Sequence, residues 1–243
     1  MALDPHLLAH IGASIAWSRF TIHWSTVAGL AVLCALYEWR MRSLRTASSM
    51  TGEMEVADGS SLMVDASHQP STINHHRWTF YAGIAVIFFS LNGWLHDLSD
   101  WYLFSAHMVQ HLLLTLLVPP LLIMGTPGWM LRPALRNRLV ERIARAITGP
   151  KTCFVVFNLV VIVWHLPGLY NTAMANHGVH IVQHLMFMAA AVMLWWPVLS
   201  PLPEWPRLIP LLQCLYLFLQ TIPSGAIGRF ITLASPGFYE AYA

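Results

Sequence analysis

Apolar residues run along this chain in long stretches separated by short polar interruptions, a pattern that suits lipid as the surrounding solvent. A membrane-crossing helix needs about 20 predominantly apolar residues. On that reading the candidate spans are 20–39, 78–95, 101–124, 152–166, 179–199 and 208–233. The fourth is short, and Pro223 with Gly225 predicts a kink in the sixth. Trp and Tyr at several run ends fit an interfacial aromatic belt. The predicted fold is an all-α integral membrane protein of about six transmembrane helices. Between the first two spans the chain turns polar and Ser/Thr-rich, with Glu53, Glu55, Asp58 and Asp65. The predicted organisation is an outer N-terminal segment at 1–19, a first span at 20–45, a flexible cytoplasmic linker at 46–76, and a five-span bundle at 77–243.

Composition agrees with the pattern. Hydrophobic residues make up 56% of the 243 positions and charged residues 10%, where a soluble domain carries about 25%. The net charge of +2 gives no sign of a nucleic-acid partner. Cys34, Cys153 and Cys214 each sit in apolar surroundings without a C-x-x-C pair and read as small buried hydrophobes. Residues Met1 to Trp17 lack the basic start of a secretory leader.

Charge placement predicts an orientation. Arg40, Arg42, Arg45, Arg77, Arg132, Arg136, Arg138, Arg142, Arg145, Lys151 and Arg207 all fall on one side if both termini lie outside. Of the 13 Lys and Arg residues only Arg19 and Arg229 fall elsewhere, so the positive-inside rule predicts N- and C-termini outside. The segment 132–147 is basic and amphipathic, as a helix lying on the inner surface would be.

That topology sorts most of the 13 histidines to the outer ends of the spans. His23 opens the first span, and His177 stands beside the fifth. His107-Met-Val-Gln-His111-Leu recurs as His180-Ile-Val-Gln-His184-Leu, and each copy follows a histidine near a tryptophan, His96 and His165. The repeat predicts two parallel helical hairpins, spans 2–3 and 4–5, whose third and fifth helices face one another.

Residues four apart on a helix leave the same face, so each H-x-x-x-H presents two imidazoles one turn apart. Facing pairs would offer His107, His111, His180 and His184 as nitrogen ligands, with His96 and His165 at the entrance. Imidazole suits copper or zinc, and the thioethers of Met108 or Met174 would favour Cu(I). Gln110 and Gln183 are placed to hold the second ring nitrogen of a ligating histidine. A water-lined proton path and plain interhelical polar contacts are the other readings of these residues. His6 and His10 repeat the spacing near the start, and Asp97 and Asp100 lie in the outer loop. The chain shows no nucleophile–base arrangement or nucleotide fingerprint, so no enzyme is predicted.

Several of these motifs together carry a resemblance. Trp94-Leu-His96, the H-M-V-Q-H-L run, Pro119-Pro120, Gly125-Thr-Pro127, Trp164-His165-Leu-Pro167 and the second H-x-V-Q-H-L occur in an order that resembles the multi-span CtaG family of bacterial cytochrome c oxidase assembly factors. Trp195-Trp196-Pro197 and the C-terminal Pro236-Gly-Phe-Tyr239 continue it, so that it covers the chain from about Trp78 to its end. The resemblance implies a bacterial plasma-membrane protein that matures a haem-copper oxidase, handling copper on the periplasmic side. Its partners would be an oxidase subunit and a soluble copper chaperone. A membrane redox protein with histidine-ligated haem and a proton-conducting or transport protein are the alternatives.

Overall fold

The computed structural model describes residues 20–57, 70–101, 103–205 and 207–233, and these are all-α. In chain order the helices are α1 (Trp24–Ala57), α2 (Pro70–Leu91), α3 (Trp94–Trp101), α4 (Phe104–Leu112), α5 (Val118–Gly125), α6 (Gly128–Leu135), α7 (Arg138–Ile147), α8 (Pro150–Trp164), α9 (Pro167–Ala175), α10 (His177–Leu199) and α11 (Pro210–Leu233). A π turn at Leu113–Leu117 joins α4 to α5. Helix starts follow local chemistry. The Asn137 side chain caps α7 by accepting from Leu139 and Val140 N–H groups, and Asn176 caps α10 by accepting from Gly178 and Val179. Proline opens α8 and α9 where its missing N–H costs nothing.

About six spans were expected; among the described residues three helices are long and apolar enough to cross a membrane. They are Ser105–Gly125, His177–Leu199 and Pro210–Leu233. A fourth is reached if Arg138–Ile147 and Pro150–Trp164, bent by 67° at their junction, form one broken span. The protein is therefore multi-pass with fewer spans than the run count predicts. Charge inside the helices explains the shortfall. Glu38, Arg40 and Arg42 interrupt α1, and His75, His76 and Arg77 occupy the early turns of α2. The run expected at 78–95 is also cut. Asn92 bonds back to the Phe88 carbonyl at 3.0 Å, and Gly93 takes the left-handed φ of 71° that ends the helix.

The polar residues of α1 and α2 pair with each other. Arg77 Nε donates to Glu38 Oε1 at 3.0 Å, a second guanidinium nitrogen contacts Glu38 Oε2, and the Tyr81 hydroxyl donates to Oε1 at 3.0 Å. Burial opposes the Glu38 charge. The hydrogen bonds from Arg77 and Tyr81, with the charges of Arg77 and Arg42, hold its carboxyl below the usual range. Beside it the ring of the adjacent residue Tyr37 stacks on Phe80 at 3.8 Å, and its hydroxyl donates to the Gly125 carbonyl at 2.9 Å. This contact ties α1, α2 and α5 together. The segment read as a linker is helical at both ends, to Ala57 and from Pro70. The termini predicted to lie outside, with His6 and His10, fall beyond the described residues.

The two parallel-repeat hairpins are not what the fold contains. The first motif copy sits on the nine-residue α4, which passes into the π turn, whereas the second sits on a continuous 23-residue helix. Pro119 and Pro120 account for the irregularity. Neither can donate to the Thr115 carbonyl, which would bond four residues ahead in an α-helix or five in a π-helix. The ladder shifts to a five-residue bond at Val118 N–H to Leu113 O. The Thr115 carbonyl is taken instead by the Trp195 indole of α10, at 3.0 Å.

Between α8, α10 and α11 lies an apolar core of Phe157, Ala190, Ala191, Leu194, Val198 and Tyr216. Beside it Asn158 and Gln220 form a buried reciprocal amide pair, at 2.8 and 3.1 Å. Replacing one partner orphans the other. Asn158→Leu should therefore lower stability by about 1 kcal/mol in thermal unfolding in detergent. The Asn158→Leu/Gln220→Leu pair should recover part of that loss.

Candidate functional site

Helices α4 and α10 meet through their histidine faces. His107, His111, His180 and His184 are all buried. Along each helix the paired rings are close, 4.4 Å between centroids for His107–His111 and 4.5 Å for His180–His184. Across the interface they are nearly as close: 5.0 Å for His111–His184, 5.7 Å for His107–His180 and 6.4 Å for His107–His184. The helical spacing dictates this arrangement, because one buried stripe on each helix carries both imidazoles. Tyr170 of α9 packs 5.7 Å from His107, and Phe187 packs 4.7 Å from His111.

Within this group the polar atoms are underused. His107 Nε2 and His111 Nε2 face each other at 2.7 Å, so one donates and the other accepts. The Nδ1 atoms of both rings, and both nitrogens of His184, have no hydrogen-bond partner among the described residues. Buried polar atoms are normally satisfied, and such a concentration of exceptions asks for a ligand or a functional reason. As the side chains stand, no group of three or more His, Cys, Asp or Glu among the described residues is disposed to hold a metal ion.

The remaining predicted site residues divide. Gln110 serves His96 rather than its own helix's histidines: its Nε2 donates to the Ser90 carbonyl at 2.8 Å and pairs with His96 Nδ1 at 3.2 Å. Gln183 is buried, and its Oε1 is without a partner among the described residues. His96 is buried above the group, 6.4 Å from His180. Burial pushes its imidazole down to about 4, with the neighbouring His23 adding to the shift and Asp97 opposing it. His165 lies elsewhere. Its Nδ1 donates to the Val161 carbonyl at 2.7 Å, and its ring lines a mostly apolar cavity of about 260 Å³ with Met108, His111, Thr115 and Phe187. His96 and His165 thus have different surroundings. Met174, half-buried on α9, does not line that cavity.

Two histidines that carried no site assignment join the arrangement. The His23 ring stands edge-on to His96 at 4.3 Å and 5.6 Å from His177. No periodic pattern links residues so far apart in the chain, so the signal lay only in each standing at a helix start. The rings thus run from exposed His177 through His23 and His96 to the buried four. Chemically, the arrangement offers soft-to-borderline nitrogen donors in a site walled by apolar helices.

Comparison with known proteins gives one match. The family described as cytochrome c oxidase caa3 assembly factor (Caa3_CtaG) covers residues 62–243, which include every helix from α2 onward and both copies of the histidine motif. No curated protein and no solved structure matches. A match over that much of the chain settles the family: the chain is a multi-pass membrane protein belonging to the cytochrome c oxidase caa3 assembly factors.

Proposed function

We propose that this assembly factor holds copper as cargo between α4 and α10 and delivers it to a haem-copper oxidase subunit. The observation that carries the proposal is the packing of His107, His111, His180 and His184 inside an apolar bundle, with the Nδ1 atoms of His107 and His111 and both nitrogens of His184 without a hydrogen-bond partner among the described residues. Cu(I) is the form that suits the donors. It accepts two ligands, so one imidazole pair suffices where no three-residue group is preformed. Nitrogen ligands about 2 Å from a shared ion stand about 4 Å apart. The His107–His111 pair, at 2.7 Å, must open by rotation of its rings, and a site that opens readily also releases its cargo. Buried Gln183 would orient a ligating ring, and Met108 with His165 borders the cavity beside His111. A soluble copper chaperone is the natural donor.

Orientation belongs to the same proposal. In both motif-bearing spans the histidines occupy the first turns and arginines follow the far end, Arg132 to Arg145 after one and Arg207 after the other. The positive-inside rule then puts the histidines at the outer, periplasmic face of a bacterial plasma membrane.

The test is metal content. Purified protein loaded with Cu(I) and desalted should retain copper. The His107→Ala/His111→Ala/His180→Ala/His184→Ala variant, with unchanged helical content by circular dichroism, should retain almost none. Equal copper in the two proteins would refute the proposal.

A further inference from the structure

Helix α7 divides into two faces of opposite character. Arg138, Glu141, Arg142 and Arg145 fall on one side of it, and Leu139, Val140, Ile143 and Ile147 on the other. No residue of α7 is buried, and its four large apolar side chains are between 41% and 63% exposed. Acyl chains can cover such a face without the cost of leaving it in water. Glu141 engages Arg145 at 2.9 Å, whereas Arg138 and Arg142 have no ion-pair partner among the described residues.

The placement of α7 fits a bilayer surface. It is turned 67° from α8, and α8 packs along α10, which is long and apolar enough to cross a membrane. The turn falls at Gly149 and Pro150, where the proline has no N–H to continue a helical ladder. The last turn of α7 stands level with the end of α10. There the Arg145 guanidinium lies over the Trp205 ring at 5.3 Å, and Trp205 lies 6.4 Å from Trp196. Tryptophans gather at the membrane interface, and the histidines occupy the opposite end of α10.

Inside the elbow between α7 and α8 is a cavity of about 170 Å³ bordered by Arg145, Thr148, Pro150, Trp196 and Trp205. Trp196 Nε1 is buried and has no hydrogen-bond partner among the described residues, so a donor there lacks its acceptor. The Glu204 carboxylate also borders the cavity, but Arg132 Nε donates to it at 2.9 Å and compensates its charge.

We propose that α7 lies in the headgroup layer at the membrane face opposite the histidines, and that the elbow seats the phosphate of an anionic phospholipid. The Trp196 indole N–H and the Arg145 guanidinium donate to that phosphate. Arg138 and Arg142 meet the negative charge of neighbouring headgroups, and the apolar side chains enter the acyl boundary. A lipid surface matches both faces of α7 at once, which an acidic protein surface does not. Nothing in this assignment depends on copper.

The experiment uses the full chain. Spin labels at Ile143→Cys and Glu141→Cys, each in a Cys34→Ser/Cys214→Ser background, read the surroundings of α7 in nanodiscs of phosphatidylcholine and phosphatidylglycerol. The label at position 143 should relax with lipid-soluble oxygen, and that at 141 with a water-soluble nickel chelate. Equal access of nickel to both would overturn the proposal and leave α7 as a surface for a soluble protein. Delipidated protein in detergent is then offered equal amounts of the two lipids with matched acyl chains, and native mass spectrometry counts what is bound. The wild type should favour phosphatidylglycerol. Arg138→Gln/Arg142→Gln should reduce that preference about fivefold or more, while Arg229→Gln, on α11, should leave it unchanged. Trp196→Phe, which removes only the indole N–H, should lower retention of both lipids about fivefold and leave their ratio as it was. No preference in the wild type, or displacement of phosphatidylglycerol by inorganic phosphate at constant ionic strength, would overturn the phospholipid seat.

Discussion

Gly125→Ala should lower the stability of this protein by about 2–3 kcal/mol, read as a fall in unfolding temperature in detergent micelles. Gly125 closes α5 where that helix meets α2. A methyl group there would sit 2.5 Å from the Phe80 backbone nitrogen and 2.6 Å from its Cα. Both obstacles are main-chain atoms in the middle of a helix, so no side-chain rotation relieves the clash. The helices must separate, and the Tyr37 stack on Phe80 and its bond to the Gly125 carbonyl separate with them. Gly29 supplies the control. It lies inside α1, and a methyl group on its Cα would meet nothing within 4 Å. Gly29→Ala should therefore raise stability by up to about 1 kcal/mol through helix propensity alone. Equal effects at the two positions would show that propensity, and not the close approach at Phe80, governs Gly125.

His184→Leu should move stability and copper content in opposite directions. Neither ring nitrogen of His184 has a hydrogen-bond partner among the described residues, and the ring is buried between His180 and His111. An unsatisfied buried polar group costs about 1–3 kcal/mol. Leucine fills a comparable volume without that cost, so the unfolding temperature should rise while retained copper falls. A histidine kept only for packing or interhelical hydrogen bonding would give the reverse, lower stability with copper unaffected. That outcome would reduce the cluster to a structural feature. Proteins commonly hold such costly groups at functional sites, at the expense of stability.

The two H-x-x-x-H pairs were legible in the sequence because four-residue spacing is a local property that any helix converts into a shared face. In the fold the two helices meet through those faces, at ring separations of 5.0 and 5.7 Å. The number of spans was misread for a physical reason. Counting apolar runs gave no weight to Glu38 and Arg77, which can stay within α1 and α2 because each neutralises the other. The hairpin repeat failed for another reason: Pro119 and Pro120 follow only the first motif copy and remove donors that a regular helix needs. Least legible was the position of His23. It depends on a single left-handed glycine and a few contacts between distant segments, which no periodicity announces. The partner of Gln110 was hidden likewise, since a side chain one residue from a histidine points about 100° away from it.

The indole bond from Trp195 to the Thr115 carbonyl has a mechanical meaning. It pins α10 to the π turn one helical turn beyond His111, on the side away from the outer rings. With that rivet in place, α4 and α10 cannot slide past each other without stranding a carbonyl that the following prolines leave without a donor. Motion near the histidines is therefore confined to ring swings about side-chain torsions, on a frame whose two rails keep a fixed register.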